Sequence, residues 1–199
     1  VRVDLPEIYY MELPKINILE LEGYPRVYAL ALSLVAHLDS HLDIEKIKSF
    51  IREYQKVSPL LIGEIWAVPI ALRIALIENA KRTSQNTTYG LKVKQMANKV
   101  ADEVLKRSQR EDIDFHTILE DSIKKASLEI EDKKISCNCF TVQLIKRLRD
   151  HTSEVMEICQ EYFPKIEARQ LNSEQIIHHD HQHQASSQVT ISNIIFSMR

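Results

Sequence analysis

The residues best able to do chemistry in this sequence are four histidines, His178, His179, His181 and His183, gathered around Asp180. At helical spacing His178 lies beside His181 and His179 beside His183, so either pair could chelate a divalent metal. Zinc sites need more convergent ligands than a pair supplies, and the sequence fixes no third. The plainer reading is a polar, partly protonated helix face. Cys137 and Cys139 raise the same question, but no second cysteine pair accompanies them, so they read as incidental. Asp112 and Asp114 repeat the two-aspartate spacing with which glycosyltransferases hold a metal and a nucleotide diphosphate. That chemistry sets the pair at the end of a strand. Here the helical pattern FHTILEDSI follows, and helix capping accounts for both aspartates. Asn86-Thr87-Thr88 spells a glycosylation acceptor with nothing else pointing to secretion. No nucleophile–base arrangement has supporting context, so no catalytic, cofactor-binding or metal-ligating residue is assigned.

A second set of charges stands where apolar residues are the norm. Residues 58–79, SPLLIGEIWAVPIALRIALIEN, hold the longest apolar run and the only tryptophan, yet include Glu64, Arg73 and Glu78. A helix apolar on most of its circumference is a buried helix, and buried charges must be paired. Glu64, Trp66, Arg73 and Glu78 are therefore expected as structural buried polar residues, with Trp66 packed against the first helix. The rival is a membrane span, since residues 60–77 are about long enough to cross a bilayer. Glu64 and Arg73 oppose it, each costing roughly 2.5–3.5 kcal/mol near the centre of a span. Pro69 also breaks a hydrogen bond there. A core helix without a membrane span is the expectation.

The elements that must position these residues are helices. Only 3 of the 199 residues are Gly, against an average usage of about 7%, which disfavours β-rich folds and Gly-loop nucleotide sites. A net charge of −2 gives no pull toward nucleic acid. Three cysteines make no disulfide framework and fit a reducing compartment. The chain shows no signal-peptide pattern, starts at Val1, and stops at Arg199 directly after the apolar run 191–196. It is expected to be a piece of a longer protein.

In order, residues 1–22 carry Leu5-Pro6 and Leu13-Pro14 and read as an extended arm across the helices. Residues 23–84 form a first helical lobe. Its first helix opens at Pro25, its second at Asp43, and its third runs from Ser58-Pro59 to about Lys81 with a kink at Pro69. Residues 82–90, RTSQNTTYG, read as a loop. Residues 89–199 form a second lobe, continuous with the first. They carry a long helix through Val93–Leu105, one capped at Asp112 or Asp114, a surface connector at 129–134, a short helix over 140–148, and one interrupted at Pro164. A capping box at Asn172 and Gln175 then opens a helix toward Gln188, before a final apolar turn or helix over 189–199. The class is all-α, a bundle of about eight helices with an N-terminal extended arm.

Four stretches taken together carry a resemblance. They are GYPRVYALALSLVAHLDSHLD (23–43), PLLIGEIWAVPIALRIALIEN (59–79), FTVQLIKRLRDH (140–151) and HQHQASSQVTISNIIFSMR (181–199). In this order and spacing they resemble the N-terminal helical region of bacterial cyclic β-1,2-glucan synthases. The most distinctive segments are YPRVYALA, GEIWAVPI and SQVTISNIIFSMR. The resemblance implies a large inner-membrane parent that transfers glucose from UDP-glucose to a β-1,2-linked chain and releases it as a ring. It implies a helical module on the cytoplasmic side, partnered by the glycosyltransferase and membrane domains of the same polypeptide. UDP-glucose and a divalent metal belong, on that reading, to the parent's glycosyltransferase domain alone. None of the family's catalytic motifs falls within residues 1–199. The alternative is a stand-alone helical protein-interaction domain.

Overall fold

A computed structural model describes residues 7–17, 21–110, 113–130, 133–163 and 172–198, with backbone only for 7–8 and 133–137. The described residues form α1 (Glu7–Glu12), α2 (Arg26–His37), α3 (Ile44–Val57), α4 (Ile62–Ser108), α5 (Phe115–Glu129), α6 (Lys133–Arg147), α7 (Thr152–Tyr162) and α8 (Ser173–Ser197). A 3-10 turn, Arg149–His151, precedes α7, and an isolated bridge joins Lys15 to Pro25. The all-α class is correct. The chain divides into two compact units, Val1–Thr83 with Ser187–Arg199, and Ser84–Ser186.

The first unit grows from its turns. Arg26 N–H donates to Pro14 O at 2.8 Å and Ile16 N–H to Tyr24 O at 2.8 Å, closing a small loop at Gly23, whose φ of +80° suits glycine. Asp43 caps α3 as its sequence predicts, its carboxylate accepting from the amides of Glu45 and Lys46. The core joins Val27, Ala31, Leu34 and Val35 of α2 to Ala67, Val68, Ala71, Leu72, Ala75 and Leu76 of α4. Leu13 and Ile194 complete it. On α4 these positions recur at three- and four-residue steps, so alanines let the helix axes approach while the larger side chains fill the gaps.

The turn after α2 is the most constrained part of this unit. Asp39 and Ser40 are consecutive non-glycine residues in the left-handed region, with φ of 46° and 63°. Such residues cost on the order of 1 kcal/mol or more each and persist where surroundings over-determine them. Here the end of α8 supplies those surroundings. Thr190 Oγ1 donates to Asp39 Oδ1 at 2.7 Å and Asn193 Nδ2 to Asp39 O at 3.0 Å. Ser197 Oγ donates to Ser40 O at 2.7 Å and accepts the Leu42 amide at 2.8 Å. From α4, Asn79 Nδ2 donates to Ser40 Oγ at 2.7 Å, and the Ser40 side chain is fully buried. His41 stacks on Phe196, ring centroids 5.0 Å apart.

In the second unit Val93, Ala97, Val100, Ala101 and Val104 of α4 meet Ile118, Leu119, Ile123 and Ala126 of α5. Phe140, Leu144 and Ile145 of α6, Val155, Ile158 and Cys159 of α7, and Ile176 of α8 close the same core. Phe140 and Phe163 meet at 5.5 Å, tilted by 58°. The Asn172–Gln175 capping box forms reciprocally, each side chain accepting the other's amide at 2.9–3.0 Å.

Several expectations need correction. Residues 82–90 are not a loop: α4 runs unbroken from Ile62 to Ser108 through Pro69 and Gly90. Most of them are exposed while Tyr89 packs on the core of the second unit, and one Gly without Pro costs only about 1 kcal/mol, too little to end a helix of 47 residues. The arm is not extended throughout, because Glu7–Glu12 is helical, bounded in sequence by Pro6 and Pro14. The helix foreseen over 140–148 begins earlier, at Lys133, and the two segments foreseen after Asn172 are the single helix α8. Asp114 stands at the N-cap of α5 without a side-chain capping bond. Residues 1–6, Asp112, residues 131–132 of the foreseen connector, and Pro164 lie outside the described residues. Ser197→Ala removes two of the four side-chain bonds that tie α8 to the turn after α2 and is expected to cost about 1–2 kcal/mol. Urea unfolding followed by circular dichroism measures it; an unchanged midpoint would show that the Ser197 bonds do not hold the turn.

Candidate functional site

The strongest polar constellation lies where α4 begins. Glu64 occupies the first turn of α4, fully buried, and its Oε2 accepts the amide of Leu61 at 2.9 Å. This is the acidic half of a capping box, satisfying an amide the helix itself leaves unpaired. Both carboxylate oxygens also face the guanidinium of Arg26, the first residue of α2: Nε donates to Oε1 at 3.0 Å and Nη2 to Oε2 at 2.6 Å. Arg26 Nη1 donates to Ser58 Oγ at 2.6 Å, and Nη2 also reaches Pro59 O at 3.1 Å. One planar fork therefore binds the start of α4, the strand-like approach to it, and the start of α2. Burial alone would push the Glu64 carboxyl up, but the Arg26 hydrogen bonds, the Leu61 amide and the Arg26 charge outweigh it and hold it below 4.5.

Beside this fork is an open cleft of about 600 Å³ between residues 15–17, α2 and α3. Ala29, Leu30, Ile16 and Phe50 give it an apolar floor, and Asn17, Ser33 and Tyr54 give it polar edges. Its cations are already engaged. Arg26 holds Glu64, while Lys15 Nζ donates to Tyr10 O at 2.7 Å and sits 3.8 Å from the centre of the Tyr10 ring.

Of the expected buried polar residues, only Glu64 is buried. Trp66 is 71% exposed and does not pack against the first helix; Arg73 and Glu78 are also exposed. The core of the first unit needs only one face of α4, and Trp66 and Arg73 stand on the opposite face with Ile62, Ile65, Pro69 and Ile77. Glu78 nonetheless accepts from the Tyr28 hydroxyl, whose pKa is raised by burial and by that carboxylate. Sequence reasoning missed Arg26 as the partner of Glu64. The spacing of Glu64 from Leu61 signals its capping bond, but no local pattern names Arg26.

The histidine run of α8 does not converge. His178, His179, His181 and His183 are all exposed, and the inward residue is Asp180, only 4% exposed. Asp180 faces Cys139, whose Sγ lies 3.4 Å from Oδ1, with Lys94 Nζ at 4.0 Å and Gln184 as a further donor. His178 contacts Gln182 at 2.9 Å, and His181 contacts Lys146 of α6 at 3.1 Å. Burial, with Asp180 alongside, pushes the Cys139 thiol up to about 11, away from the thiolate that ligates metal. Among the described residues no three His, Cys, Asp or Glu side chains gather as a metal site. Nor is any described helix long and apolar enough to cross a membrane.

Glu64→Gln leaves Arg26 facing a neutral amide and is expected to destabilise the protein by about 3 kcal/mol, as breaking a buried ion pair does. Because the folded carboxyl titrates below its ordinary 4.5, its contribution is whole above that value and is lost as pH falls through the folded one. The wild-type advantage over Glu64→Gln in urea unfolding should therefore shrink from pH 7 to pH 3. An advantage independent of pH contradicts the ion pair.

No family model matches the chain. A curated relative does: the chain is 30% identical over 200 residues to the cyclic beta-(1,2)-glucan synthase NdvB of Rhizobium meliloti (strain 1021). The match takes in 100% of this chain, which spans 7% of the length of that protein. The segments YPRVYALA, GEIWAVPI and SQVTISNIIFSMR supply Arg26, Glu64 and the Ser197 contacts, all within the first unit. Over its whole length the chain is thus a relative of a segment of a cyclic β-1,2-glucan synthase.

Proposed function

We propose that this chain is a non-catalytic helical module of a cyclic β-1,2-glucan synthase. On this reading the parent polymerises glucose from UDP-glucose into a β-1,2-linked ring at the cytoplasmic side of the bacterial inner membrane. The module's partners are the glycosyltransferase and membrane domains of the same polypeptide. Its own work is mechanical, to present a rigid helical surface to those domains. The observation that carries the reading is the match over all of the chain to 7% of a glucan synthase. Supporting it, the polar groups of the fork are consumed by structure. Arg26, Glu64, Ser58 and the Leu61 amide satisfy one another and leave no reactive group over. UDP-glucose and a divalent metal are then requirements of the glycosyltransferase domain and not of this module.

The purified chain is expected to be helical by circular dichroism and to release no UDP from UDP-glucose, with or without Mn²⁺ or Mg²⁺. UDP release by the chain alone contradicts the non-catalytic reading. A reading frame that holds no glycosyltransferase segment contradicts the synthase reading and favours a stand-alone interaction domain.

A further inference from the structure

The first unit carries an apolar stripe that its own core does not use. Ile62, Ile65, Trp66, Pro69 and Ile77 lie on one face of α4, opposite Ala67, Val68, Ala71, Leu72 and Ala75. Ile62 is 70% exposed and Trp66 71%. Scattered exposed aliphatics need no explanation, but five apolar residues in helical register along one face of a helix do. Arg73 stands among them, exposed and without a carboxylate partner among the described residues. An apolar strip centred on Trp and bearing one Arg has the composition of an interface hot spot.

We infer that this face of α4 docks another segment of the same synthase polypeptide, one that presents an apolar face with a carboxylate opposite Arg73. The inference rests on the proposed function and adds to it the surface used. Charge chooses the occupant's character: the stripe holds one cation and no acid, so a segment with a matching carboxylate gains an ion pair as Trp66 is covered. Length favours a partner in the same polypeptide. The matched relative has most of its length outside the aligned segment. A tethered segment acts at an effective concentration on the order of mM, at which one helix face suffices for docking. A lipid surface fits the stripe less well, since membrane-bound helices flank the apolar face with several cations and here Arg73 lies within it.

A photo-crosslinking amino acid in place of Ile62, in the full-length polypeptide, tests this. The expected result is an intramolecular cross-link to a peptide outside residues 1–199 that contains Asp or Glu. Its yield should fall at least fivefold with Arg73→Glu and persist with Arg73→Lys, which separates loss of the ion pair from misfolding. Cross-links to lipid, to a second copy, to residues 1–6 of this chain, or to nothing above background overturn the inference, as does a yield indifferent to Arg73→Glu. If the polypeptide contains a glycosyltransferase and the cross-link still goes elsewhere, the docking inference alone fails. If it contains none, the proposed function fails as well.

Discussion

A carboxylate with no access to water sits in the first turn of α4, and the first unit is arranged so that it never lacks partners. An isolated buried carboxylate would cost several kcal/mol and would protonate before it would stay charged. Glu64 avoids that through the two-pronged grip of Arg26 and the amide of Leu61. The grip is also geometric. The fork of Arg26 is planar and its prongs are at fixed spacing, so it accepts only one relative placement of the starts of α2 and α4. Once those starts are pinned, the alanine-lined face of α4 meets α2 in a single register. The far end of α2 is then held by the Asp39–Ser40 turn and the α8 side chains that bind it.

Local signals were legible where the chemistry is local. Asp43 and the Asn172–Gln175 box read correctly because capping depends on residues a turn apart. The burial of Glu64 was also foreseeable, since a carboxylate in an apolar run at a helix start has few other uses. Its partner was not, because Arg26 lies 38 residues away and no periodicity connects them. The misreading of Trp66 has a related cause. When a helix is apolar on most sides, the pattern cannot say which side faces the core, and only packing against α2 decides it. Residues 82–90 failed in the opposite way, since a polar, mostly exposed stretch of helix has the composition of a loop. The four histidines of α8 are exposed, and the residue turned inward there, Asp180, was visible only once α6 was in place beside it.

The placement of the distinctive segments bears on function. Segments that are far apart in the chain supply the Arg26–Glu64 fork and the tie between α8 and the Asp39–Ser40 turn. These residues hold a fixed shape by packing inward, and the groups left outward are those available to a neighbour. In this unit those groups include the apolar stripe of α4 with Arg73 among it. On the proposed reading, that outer face is what the module presents to its neighbours.

The measurement that bears most directly on this account is a double-mutant cycle of Arg26→Gln and Glu64→Gln, followed by urea unfolding at pH 7. If the fork anchors the first unit, the singles and the double variant should give a coupling of about 2 kcal/mol, within the range for residues in direct contact. Additivity within about 0.5 kcal/mol would mean that the two side chains act independently, and that something other than this ion pair sets the register of α2 on α4.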